Sequence, residues 1–149
     1  MRPLNSLLFG LAIVSAPCAA QERSLEMIGP VPASAYSNAV KAKGGTVVFL
    51  AGIESTDEKG NLVAPGDFSG QTRQIWANMD KALKLAGGSL DDVVTMTVFT
   101  TERRWADQLT DMRKEVFKKG FPSSAFMEAA KLKTPGAFVA IRAVAVINQ

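Results

Sequence analysis

Histidine is missing from this chain of 149 residues, and the one cysteine, Cys18, lies in the N-terminal stretch ahead of the first cluster of charge. Without imidazole no unperturbed side chain titrates near neutrality, so His-based acid–base catalysis and ordinary zinc sites are excluded. Disulfides and thiolate chemistry are excluded as well once the cysteine-bearing segment is removed. A strong charge of one sign is also lacking: 17 basic residues stand against 14 acidic ones, too small an excess to argue for nucleic acid. No basic stripe interleaved with aromatics is present either, so ribonuclease or single-strand binding activity has no support. The chemistry left belongs to carboxylates, hydroxyls, Lys, Arg, backbone groups and bound water, and no metal or cofactor is expected.

Long apolar runs are scarce, and the first of them has a recognisable setting. Residues 4–14 follow the basic start Met1-Arg2-Pro3 and precede the small residues Ser15-Ala16-Pro17-Cys18-Ala19-Ala20. The run is too short for a comfortable membrane span and has the layout of a secretory signal peptide. We expect residues 1–20 to be removed after Ala20, leaving residues 21–149 as one domain, periplasmic or secreted, with no stable membrane association. Pro17 argues against lipidation at Cys18, because a small residue is wanted there.

Along the mature chain, residues 21–27 read as a loosely held polar segment and Ile28-Gly29-Pro30-Val31-Pro32 as an extended entry, each proline biasing its predecessor away from helix. Residues 36–40 and 46–51 flank Lys43-Gly44-Gly45 and read as a β-hairpin. Gly52 ends the second strand, either to let a backbone or ligand approach or simply to terminate it. Residues 54–66 are a turn-rich loop, after which Asp67 or Ser69 can cap a helix carrying Ile75, Met79, Ala82, Leu83 and Ala86 on one face and ended by Gly87-Gly88. Residues 93–100 are rich in β-branched side chains and read as a strand. A second helix begins near Glu102, carries Trp105, Leu109, Met112 and Val116 in register, and closes at Lys118-Lys119-Gly120. Arg103-Arg104 is most simply its solvated first turn.

The last stretch sets the problem. Residues 124–130 and 137–147 are strand-like, and the Pro135-Gly136 loop between them places them close in space. The second is nearly continuous in its hydrophobicity, as in a strand covered on both faces, yet Arg142 sits in its middle. A guanidinium in such a strand needs a reason. The element order is β-β-α-β-α-β-β, an α+β domain with two helices on one mixed sheet. The strands carry more apolar surface than two helices cover, so the other face is expected to meet another subunit.

Several separated pieces together resemble the RidA/YjgF reactive-intermediate deaminase family, also labelled endoribonuclease L-PSP. They are Ala35-Tyr36-Ser37-Asn38-Ala39-Val40, Ala51-Gly52, Gln71-Thr72-Arg73-Gln74 with Asn78, Ala86-Gly87, Asp92-Val93-Val94 through Thr97-Val98-Phe99, and Phe121-Pro122 with Glu128-Ala129-Ala130-Lys131-Leu132. The resemblance covers nearly the whole mature chain. It implies a chorismate-mutase-like fold, a homotrimer around a central barrel, and clefts between subunits. In the best-characterised branch those clefts hydrolyse enamine and imine intermediates such as 2-imino acids to 2-keto acids and ammonia. There an arginine after the Phe-Pro pair clamps the substrate carboxylate and a glutamate in the last strand directs the water.

This chain departs at both positions: Ser124 stands where the arginine is expected, Phe126 where a cysteine is frequent, and Arg142 where the glutamate is expected. Two readings of Arg142 follow. In one it takes over anion binding from the far side of the cleft, with Ser124 making room or supplying a hydroxyl, and Tyr36 remaining as a cleft hydroxyl. In the other it forms an ion pair with Glu128 or another acid at an interface, and the protein is a non-catalytic ligand-binding or chaperone-like module. On the first reading the catalytic candidates are Arg142, Ser124 and Tyr36, and Gly52, Phe99 and Phe126 line the pocket for a small carboxylate or imine-like ligand.

Overall fold

The computed structural model describes residues 22–148; the expected signal peptide lies outside them. Six strands form one mixed sheet: β1 (Ser24–Val31), β2 (Tyr36–Lys43), β3 (Thr46–Glu54), β4 (Val93–Thr100), β5 (Ser123–Glu128) and β6 (Val139–Ile147), in the spatial order β1-β2-β5-β4-β6-β3. Helices α1 (Phe68–Leu85) and α2 (Ala106–Val116) cover one face. The α+β class, the two helices and the mixed sheet are as the sequence predicts.

Period-2 alternation decides which side chains meet the helices. From β4 these are Met96, Val98 and Thr100, and from β6 Val139, Ile141, Ala143 and Ala145, all buried. They pack against Ile75, Met79 and Leu83 of α1 and Leu109 and Met112 of α2. Trp105, stacked on Phe68 with ring centroids 4.7 Å apart, ties the start of α2 to the start of α1. At the other end of α1, Gly88 N–H donates to Leu83 C=O (2.8 Å) and Gly87 N–H to Lys84 C=O (3.1 Å), the double closure of a Schellman cap. Gly87 adopts φ +86°, which glycine reaches without Cβ strain.

Three expectations about strand partners are corrected. An additional strand, β1, occupies residues read as loose, because Leu25 and Met27 alternate with polar neighbours and the extended bias before Pro30 carries through. The hairpin is β1–β2, turned through Pro32–Ser34, whereas β2 and β3 are not paired. The Gly44-Gly45 turn delivers the chain to the far edge instead, where apolar β3 lies antiparallel on β6 from Thr46↔Ile147 onward. Finally, β5 and β6 are not neighbours. Both flank β4, β5 parallel to it through the α2 crossover and β6 antiparallel, so the Pro135-Gly136 loop passes over the end of β4.

The β1–β2 hairpin touches β5 at a single register pair, Ser37↔Ser123, with Ser37 Oγ donating to Phe121 C=O (2.7 Å). Its other end is held by Arg23, which pairs with Asp92 and donates to Val146 C=O at 2.8 Å. Within the core, Gln71 is fully buried and bridges α1 to the β5–β6 loop. Its amide nitrogen donates to Gly136 C=O (3.1 Å) and its oxygen accepts Phe138 N–H (2.7 Å). Gln71→Leu would strand both backbone groups away from water, and we expect it to lower unfolding stability by about 2–4 kcal/mol in urea titration; a loss under 1 kcal/mol would show that the loop carries no such dependence.

Candidate functional site

The face of the sheet away from the helices carries Thr95, Thr97 and Phe99 of β4, Ala140, Arg142 and Val144 of β6, and Val47 and Phe49 of β3. Arg142 stands exposed in the most buried strand of the fold, opposite Thr97. A cavity of about 240 Å³ lies against it, lined by Thr95, Met96, Thr97, Arg142, Ala143 and Val144. On its other side the pairing of β3 slips: Leu50 opposes Ala143 and Ile53 opposes Ile141, so Ala51 and Gly52 together face Arg142 as a β-bulge. A Cβ added at Gly52 would meet nothing within 4 Å, so the space beside this bulge is open in the chain.

Of the residues singled out from sequence, the structure brings Arg142, Gly52 and Phe99 to this one face. Ser124 and Phe126 alternate to the opposite face: Ser124 opposes Met96 and Phe126 opposes Val98, and Phe126 packs on the core. Tyr36 begins β2, half-buried and separated from Arg142 by β5 and β4. Within the chain Arg142 is in no ion pair or hydrogen bond with a described residue, and it does not pair with Glu128, which shares the parity of Ser124 and so points away from it. An acid does stand one pleat from Arg142, since Glu54 opposes Ala140. Its two carboxylate oxygens accept the backbone N–H groups of Lys133 (2.9 Å) and Thr134 (3.0 Å).

One functional group was missed by sequence reasoning. Arg113, on α2, is only 5% exposed. Its Nη2 donates to Ser124 Oγ at 2.7 Å, its Nε is buried without a partner, and no described acid pairs with it. Burial alone pushes the guanidinium down to about 10. The signal was present, because Arg113 follows Leu109 by four residues and precedes Val116 by three, inside the apolar stripe of α2.

Residues 28–147 match the family described as Endoribonuclease L-PSP. A RutC family protein of Pyrococcus horikoshii is 33% identical over 103 residues, which is 69% of this chain and 80% of that protein. The chain belongs to the RidA/YjgF family. The family's 3-aminoacrylate deaminase RutC of Acinetobacter baylyi is 33% identical over 118 residues, 78% of this chain and 90% of its own. Among solved structures, a Rid-family protein of unknown function from Yersinia pestis superposes with a TM-score of 0.76 at 22% identity, covering 85% of this chain and all of that one, and this likeness shows the fold. Arg113 thus reaches from the helix layer to Ser124, the position at which the resemblance implies an arginine.

The charge of Arg113 has a cost in the folded state. Its folded pKa lies below its unfolded one, so the penalty is complete below about pH 10 and is relieved as pH rises from there toward the unfolded value. We therefore expect Arg113→Met to leave the fold intact and raise its stability at pH 7 by about 1–3 kcal/mol, read from urea midpoints. A loss of similar size would mean that the buried guanidinium is a net structural support.

Proposed function

We propose that this RidA-family protein is exported, assembles as a homotrimer, and binds a small carboxylate of the 2-imino acid or enamine class, hydrolysing its C–N bond through an altered site. The carrying observation is Arg142: a guanidinium in ion pair with no described residue, rooted in a buried strand, beside a cavity and facing a bulge with open space. Such a group is a pre-positioned fork for a carboxylate. The A. baylyi relative, named a deaminase of 3-aminoacrylate, supports that ligand class.

With the carboxylate on Arg142, water adds to the carbon of the protonated C=N bond. The resulting carbinolamine expels ammonia and leaves the carbonyl product. Protonation already makes the imine carbon electrophilic, so the step asks less of a general base than attack on a neutral amide would.

Two observations favour a cleft between copies. Ser124 and Arg142 lie on opposite faces of the same sheet, so a ligand touching both must lie between two chains. The face bearing Arg142 also leaves Phe49 74% exposed, with Val47 and half-buried Val144 beside it in the pairing, an apolar patch suited to self-association. Tyr36, Phe99 and Phe126 are then walls or hydroxyls contributed from one chain or its neighbour. A second reading, binding without catalysis, is favoured by Glu54, whose oxygens are both engaged by backbone N–H groups and therefore already committed.

The test supplies 2-imino acids in situ with an amino-acid oxidase and follows their hydrolysis by the purified protein. We expect acceleration over buffer, reduced about 10- to 100-fold in kcat/KM by Arg142→Ala. Absence of acceleration across several side chains would remove the hydrolase and leave a binding protein.

A further inference from the structure

Among the described residues the core holds one buried charge, Arg113, that the proposed chemistry leaves without a role. Arg113 occupies a helix position where an aliphatic side chain would complete the stripe between Leu109 and Val116. Its guanidinium is buried, carries an orphaned Nε, and has no acid beside it among the described residues. A buried cation that no described residue neutralises is a group suited to a negative partner.

Its one bond shows where that partner would be met. A serine hydroxyl has one proton and two lone pairs. Arg113 Nη2 occupies a lone pair of Ser124 Oγ at 2.7 Å, so the Ser124 proton must point elsewhere, and it donates to no described residue. An oxygen that accepts from a cation is a stronger donor through its own hydrogen. Ser124 is half-buried, and it sits just where β2 leaves β5: Ser37↔Ser123 is the only β2–β5 register pair, so among the described residues the edge of β5 beyond it has no strand partner on that side.

We propose that Arg113 and Ser124 act as one donor unit, Ser124 O–H binding an oxygen of the ligand's carboxylate and Arg113 holding and polarising that hydroxyl from behind. Ser124 is the contact and Arg113 the positioning residue. The unit rests on the reading above that the protein binds a small carboxylate, and it assigns a second fixed point for that ligand, opposite Arg142 across the cleft.

The test is a double-mutant cycle read by calorimetric titration with 2-oxobutanoate, a stable 2-keto acid. Wild-type binding is expected, with Ser124→Ala and Arg113→Met each weakening it about tenfold or more, and the double variant no weaker than either single one. Arg113→Lys, which keeps the charge without the planar fork, should recover part of the loss, a rescue that a packing role would not show. Should Arg113→Met fail to fold, the cycle is run with Arg113→Gln, which removes the charge and keeps a polar side chain of similar reach. Wild-type affinity in either single variant, or losses that simply add, would overturn the donor unit while leaving carboxylate binding in place. No binding by the wild type would instead remove the ligand class, and the donor unit with it.

Discussion

The organisation of this protein depends on how β6 is shared between β4 and β3. Flanked on both sides and buried along most of its length, β6 sets by its register which side chains of three strands join the helices and which face away. Ile141 and Ala143 close the core on one side, and Arg142 between them is forced to the other. A strand has no third direction, so a charge at that position is either turned into the core at great cost or presented on the open face. The cavity, the bulge and the placement of Arg142 all follow from that choice.

The resemblance implies site residues on two strands, and this chain carries other side chains at both positions. Where the resemblance predicts a β5 arginine there is a serine, and where it predicts a β6 acid there is an arginine. The structure adds a cation behind the serine, on a helix. The two guanidinium groups lie on opposite faces of the sheet, so they do not repel one another through a common pocket within a chain. Between chains they would address one anion from two sides. With no histidine in the sequence, no imidazole is available on either face to change charge between pH 5 and 8.

Much of this fold was legible in the sequence because its signals are local. The stripes of α1 and α2, the Gly87-Gly88 stop, the β-branched run of β4 and the apolar run of β6 are each readable in a window of about ten residues. Strand partners were not, since pairing is decided by which apolar faces compete best across the whole chain. The double glycine at 44–45 makes a sharp turn in either topology, and only the stronger match of β3 to β6 decides against the local hairpin. β1 was hidden by Gly29 and Pro30, residues that break strands in the interior of a sheet but are tolerated on an edge such as this. Arg113 escaped because a lone basic residue in a helical stripe resembles a snorkelling surface cation until its neighbours are known. Ser124 and Phe126 were grouped with Arg142 by family position, and the alternation that separates them was visible in principle once β5 and β6 were known to flank β4.

The bulge at Ala51 and Gly52 also bears on how this sequence can vary in length. Two residues there stand against the single Arg142 on β6, with Leu50 opposite Ala143 before them and Ile53 opposite Ile141 after them. Removing one would leave both of those pairs in place with one residue facing Arg142, whereas removing a residue between Thr46 and Leu50 would slide the start of β3 by a single step and exchange its two faces. Substitution at Gly52 meets no atom of its own chain. Over evolutionary time the bulge should therefore record both replacements and changes of one residue in length, and the strand before it should resist the latter.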